Sequence, residues 1–241
     1  MLDPHTLTID PRFNGPRTSG NGGWVAGSLA RRLGSPAVEV SLRAPPPLGV
    51  ALALSSARSG HLALHHGDTL LADAQQAELA IEPPASPGYG AAQSAGALGR
   101  MLAGSRDASP YGHCFGCGIA RADGLRIIPG PVGDSGIVAS TWTPAAAVAE
   151  ADGTVGVEVT WAALDCPAGY AWSNRLGNYG AMMTARMTAQ IDAPLSAGQA
   201  YIVIGWPIEQ QGRKLFAGTA IYDIDGTVRA RSAQLWLLPK N

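Results

Sequence analysis

Two stretches of this chain read alike: Val38-Glu-Val-Ser-Leu-Arg-Ala-Pro45-Pro-Pro-Leu-Gly49 and Arg186-Met-Thr-Ala-Gln-Ile-Asp-Ala-Pro194-Leu-Ser-Ala-Gly198. Each alternates like a half-buried strand and runs into Ala-Pro, with a Gly a few residues later. Each continues into a second apolar strand, Val50-Ala-Leu-Ala-Leu-Ser in one and Ala200-Tyr-Ile-Val-Ile-Gly in the other. A third match follows in the same order. Gly67-Asp-Thr69-Leu-Leu-Ala-Asp-Ala-Gln-Gln76 parallels Asp225-Gly-Thr227-Val-Arg-Ala-Arg-Ser-Ala-Gln234, a turn entering a long strand of period two. Three ordered matches point to an internal duplication rather than to chance likeness of short meanders.

The segments ahead of these strands also correspond. Asn21-Gly22-Gly23-Trp24 opens a stretch with apolar residues at 25, 26, 29, 30 and 33, a helical stripe that Gly34 stops. Thr160 to Trp172 reads as a second helix, in which Pro167 must kink the helix or mark its first turn. Two extra strands are predicted before it, at 124–128 and 136–142. Each half is thus one helix followed by an antiparallel meander. Between the halves, 82–112 is dense in Pro, Gly, Ser and Ala and reads as a connector, with a short helix within 96–102. The predicted organisation is an N-terminal half at 1–82, a linker at 83–112 and a C-terminal half at 113–241.

Composition bounds the function. The chain has 241 residues, 46% hydrophobic and only 15% charged, with 31 Gly and 18 Pro. Its net charge of −1 and lack of a basic run leave no stripe to displace counterions, which argues against a nucleic-acid partner. No apolar run reaches the roughly 18 residues of a membrane helix, and the N-terminus lacks the apolar core of a signal peptide. Three cysteines make no disulfide scaffold, so a cytoplasmic protein is the expectation.

Phe115-Gly-Cys-Gly118 followed by Asp123-Gly-Leu125 resembles the leading segment of acyl-CoA thioesterases related to the phenylacetate-pathway enzymes. Asn21-Gly22-Gly23 stands where those proteins carry His-Gly-Gly at the start of the central helix. Asp165, within Ala-Ala-Leu-Asp, resembles their helix-borne acid, and Asp223-Ile-Asp225-Gly226 their late hairpin. The resemblance implies an α+β double hotdog, two helices each wrapped by a long antiparallel sheet. It also implies an acyl-CoA or acyl-carrier thioester as substrate, no cofactor, and self-association of such chains, a homodimer being the simplest form.

The chain departs from that pattern in a patterned way. In those thioesterases the acid follows the first residue of the motif by about nine. Counting back from Asp165 reaches Gly156-Val157-Glu158, and counting forward from Asn21 reaches Ala30. One half keeps the glycine turn without the acid, and the other keeps the acid without the glycines. Thioester hydrolysis needs donors for a developing oxyanion and a group that activates water. A glycine-opened helix N-terminus supplies N–H groups, and a half-buried carboxylate supplies a base. The expectation is one composite site: Gly22 and Gly23 as oxyanion donors with Asn21, and Asp165 as acid or base. Trp24, Trp161, Asn174, Arg229 and Arg231 are candidate substrate contacts, the arginines through carrier phosphates. The alternatives are an Asn cap and a locally bonded carboxylate, which leave a non-catalytic acyl-binding protein.

His113-Cys114-Phe115-Gly116-Cys117 reads as a structural loop, because a structural zinc site needs four ligands and only Cys166 and scattered histidines remain. No metal is assigned. His61, His65 and His66 read as surface residues of a hairpin.

Overall fold

The computed structural model describes residues 3–56, 58–104, 111–177 and 181–240. Its N-terminal elements are β1 (Thr6–Thr8), α1 (Gly22–Leu33), β2 (Ala37–Leu42), β3 (Ala51–Ser55), β4 (His61–His66) and β5 (Thr69–Gln76). Then come α2 (Tyr89–Gly104), β6 (Gly130–Pro131), β7 (Val138–Trp142) and α3 (Val157–Leu176). The chain closes with β8 (Met183–Ile191), β9 (Tyr201–Gln211), β10 (Lys214–Asp223) and β11 (Val228–Leu237). The strands form one antiparallel sheet in the order β1-β3-β4-β5-β2-β8-β11-β10-β9-β7-β6. From the central β2·β8 pair outward, each side runs through the same sequence of strand types. The strand after the helix comes first, then the last, third and second strands of the meander, then a strand from ahead of the helix.

Period-two alternation puts different surfaces on the two faces of the sheet. On β9, Tyr201 and Val203 join the core shared with α1 and α3, whereas Ile202 and Ile204 pack with Ala92 and Ala95 of α2. Helices α1 and α3 therefore lie on one face and α2 on the other. The predicted connector helix is longer than its apolar run implied. Gly99 lets it sit tightly, since a Cβ there would lie 2.5 Å from the Ile128 carbonyl oxygen.

The segment 124–128, predicted as a strand, is not one. Arg126 has φ +55°, which breaks the extended run, and Pro129 follows it. Leu125 and Ile127 donate their N–H groups to the carbonyls of Phe115 and Gly116. The segment thus zips to the cysteine loop instead of the sheet.

Asn21 caps α1 by accepting from the Trp24 N–H at 2.9 Å, and Gly34 ends the helix at φ +65°. Pro167 sits in mid-helix in α3 and removes a backbone donor. The Gln234 amide from β11 donates to the Leu164 carbonyl at 2.8 Å in the same region. The two long helices run antiparallel: Gly23 faces Trp161, Ala162 and Asp165, and Gly27 faces Glu158 and Trp161. A Cβ on Gly23 would lie 2.5 Å from the Trp161 carbonyl oxygen, and one on Gly27 2.7 Å from Glu158 Cα. This Gly-x-x-x-Gly face brings the N-terminus of α1 onto the middle of α3.

Candidate active site

Asp165 lies in α3 with 3% of its surface exposed. A carboxylate buried that deeply needs partners, because desolvation disfavours its charge. It has three. The Gly23 N–H donates to Oδ2 at 3.0 Å, the Asn21 amide to Oδ2 at 3.1 Å, and the Thr184 hydroxyl to Oδ1 at 2.6 Å. Burial pushes the Asp165 pKa up to about 6, and the bonds from Thr184, Gly23 and Asn21 oppose that rise. A carboxyl group tuned in this way can exchange a proton near neutral pH.

Each carboxylate oxygen can accept about two hydrogen bonds. Oδ2 accepts two and Oδ1 one among the described residues. One acceptor position on Oδ1 therefore remains. Gly22, Leu42 and Thr184 beside it are all partly exposed. A Cβ on Gly22 would lie 3.0 Å from Leu42 Cδ1, 3.4 Å from Thr184 Cβ and 3.5 Å from Asp165 Oδ2. As the first helical residue, Gly22 has an N–H without an intrahelical acceptor. It finds none among the described residues. It carries the partial positive end of the α1 dipole.

The structure thus brings Asp165 onto Asn21, Gly22 and Gly23, which lie more than 140 positions earlier in the sequence. It divides their roles more finely than the sequence did. The Gly23 N–H is committed to Asp165, which leaves Gly22 as the donor without a partner. Asn21 caps α1 with its oxygen and holds Asp165 with its nitrogen. Thr184 was not among the sequence candidates. Its signal is weak: a threonine on the first strand after the helix, on the face turned toward it.

Among the described residues none of the other candidates bonds to Asp165. Trp24 stacks on Phe13 with ring centroids 4.5 Å apart, and Trp161 is buried core. Asn174 sits in the last turn of α3, about 13 Å along the helix from Asp165. Arg229 pairs with Asp223 at 2.8 Å, while Arg231 pairs with Asp192 at 3.3 Å and donates to the Ile81 carbonyl. These partners hold both arginines within the fold. His61 and His65 line a shallow depression with Arg43 and Asp73 on the N-terminal meander.

The N-terminus of α3 has a different character. Gly156 caps α3 without a side-chain bond, and Ala30 occupies the place nine residues beyond the Asn21 cap. Arg31 beside it binds Glu150 at 2.5 Å and Glu158 at 3.1 Å. An ion-pair cluster stands at that helix N-terminus.

Cys114, Cys117 and Cys166 are buried behind the site, with their sulfur atoms all within 4.8 Å of one another. Hydrogen bonds from the Cys117 and Cys166 thiols hold Cys114 well below the usual thiol range. Bonding to Cys114 pushes Cys117 and Cys166 above it.

No family model matches the sequence, and no curated protein matches it. Solved structures do. The tesB protein of Mycobacterium avium subspecies paratuberculosis superposes with a TM-score of 0.66 at 11% identity, covering 100% of this chain and 95% of that one. A candidate thioesterase from Novosphingobium aromaticivorans superposes with a TM-score of 0.63 at 14% identity, covering 100% and 98%. A hot-dog-fold protein of unknown function from Alicyclobacillus acidocaldarius gives 0.61 at 11% identity, covering 100% and 96%. The chain has the α+β hotdog fold. Among the described residues no helix is long and apolar enough to cross a membrane.

Proposed function

We propose that the chain hydrolyses acyl-CoA or acyl-carrier thioesters at one composite site, built where two hotdog halves meet. Support for the halves comes from the matched strand order on either side of β2·β8 and from the antiparallel pairing of α1 with α3. The observation that carries the reading is the buried Asp165 carboxylate, held by three donors yet left with one acceptor position on Oδ1. It lies beside the helix N-terminus at which the Gly22 N–H lacks an acceptor.

In this reading a water molecule donates to Asp165 Oδ1 and adds to the thioester carbonyl carbon. Asp165 takes the water proton, and the carbonyl oxygen gains negative charge opposite the Gly22 N–H and the α1 dipole. Collapse breaks the carbon–sulfur bond. Asp165 returns its proton to the departing sulfur, giving a free acid and a free thiol. Asn21, Gly23 and Thr184 fix the orientation of the carboxylate throughout. The likeness to proteins described as thioesterases agrees with this chemistry.

A second reading has its own observation. A carboxylate 3% exposed with three donors also suits a strut that ties α1 to α3 in a non-catalytic acyl-binding protein. Thiol release from acyl-CoAs of varied chain length separates the two. Hydrolysis is expected for the native chain, and Asp165→Asn is expected to lower it by about 10²–10⁴-fold with the fold retained. Measurable acyl-CoA binding with no release from any substrate would leave the strut.

A further inference from the structure

The loop ahead of β6 makes a tight Cys-x-x-Cys-Gly turn. The Gly118 N–H closes it on the Cys114 carbonyl at 2.8 Å. A Cβ on Gly118 would lie 2.6 Å from that same carbonyl oxygen, so only glycine fits. Gly116 is pressed against α3, where a Cβ would lie 2.9 Å from Cys166 Sγ. These two glycines bring a pair of loop thiols onto a third thiol of the helix, 52 residues away from Cys114 in sequence.

We propose that Cys114, Cys117 and Cys166 form a tripod for one thiophilic divalent cation of the zinc class. The Cys114 and Cys166 sulfurs are 3.7 Å apart. With metal–sulfur bonds of about 2.3 Å, two corners of a tetrahedral site stand about 3.8 Å apart. The third sulfur lies within 4.8 Å of both. Cation entry displaces the three thiol protons to solvent and leaves a trithiolate complex of net charge −1, with solvent at the fourth corner.

The surroundings suit sulfurs that carry negative charge. The Asn21 amide nitrogen lies 3.7 Å from Cys114 Sγ. Tyr170, one turn beyond Cys166, packs against the three cysteines. Donors arranged around ligand sulfurs are a common means of stabilising metal thiolates. The sequence falls short of this assignment because Cys166 has no spacing relation to the Cys-x-x-Cys pair. The cation would pin the loop to α3 behind Asp165, and the proposal holds whether or not the chain hydrolyses thioesters.

The test is titration of the reduced, chelator-treated chain with Co²⁺ alone. The expected result is thiolate-to-cobalt charge-transfer absorption with tetrahedral visible bands, saturating at one ion per chain and bleached by added Zn²⁺. Cys166→Ser should weaken cobalt binding by more than about tenfold. Should that variant fail to fold, the titration of the native chain still decides. Absence of the charge-transfer band while a thiol reagent counts three free thiols in the denatured chain would overturn the proposal. So would a Cys114–Cys166 disulfide, seen as the loss of two hydrogens by mass, in a chain that takes up no cobalt under reducing conditions.

Discussion

Adding one methyl group tests whether the mouth of the site is where we place it. Gly22→Ala puts a Cβ against Leu42 Cδ1, Thr184 and Asp165 Oδ2, between the carboxylate and solvent. The nearest of these atoms is the end of a flexible side chain, and alanine suits the first turn of a helix. Stability is therefore expected to stay within about 0.5 kcal/mol. Thiol release should fall by about a hundredfold, because the carbonyl can no longer approach to reacting distance. Full activity in the alanine variant would place the approach elsewhere. At this scale the sequence was informative where chemistry is local. An Asn-Gly-Gly turn announces a helix N-terminus, and a lone acid in an apolar helix announces a carboxylate that needs partners. Thr184 was illegible because it meets Asp165 only through the placement of β8. The exclusive commitment of the Gly23 N–H was equally out of reach.

Between elements, the closeness of α1 and α3 decides whether the two parts of the site touch. Gly23→Ala differs from its neighbour in kind. Its Cβ would meet the Trp161 backbone and Asp165 Cβ at 2.5 and 2.6 Å, and backbone cannot move aside like a leucine methyl. The helices must separate, at an expected loss of about 1–3 kcal/mol. Chemical denaturation measures it. An unchanged midpoint would mean that the helices are not held as closely as the glycine face implies. The helices themselves were legible from their apolar stripe and terminal glycines. The failed strand at 124–128 shows where periodicity misleads: its apolar residues are buried, but its backbone pairs with the cysteine loop and not with a strand. Alternation reports burial without naming the surface that does the burying.

Across the whole molecule, β2 and β8 join the sheet at its centre, with Ala37 to Ser41 in register against Gln190 to Arg186. Cutting there exposes a long unpaired edge on each side. Residues 113–241 expressed alone are therefore expected to self-associate through β8, as seen by size-exclusion chromatography. Co-expression with 1–82 should restore a one-to-one complex. A stable monomer of 113–241 would argue against two halves that complete each other. The matched order of strands on either side of β2·β8 was legible because proline turns and period-two strands recur in order along the chain. The unequal fate of the two helix N-termini was legible only as a mismatch of spacing. In the proposed reading the two parts form one site that neither half holds by itself. The most direct measurement of that claim is a crystal structure with a non-hydrolysable acyl-CoA analogue in which a methylene replaces the thioester sulfur. The account predicts the carbonyl oxygen within hydrogen-bonding distance of the Gly22 N–H, with the carbonyl carbon facing Asp165 Oδ1 across one water. An acyl group bound away from both, with the Asp165 carboxylate still shut off, would contradict it.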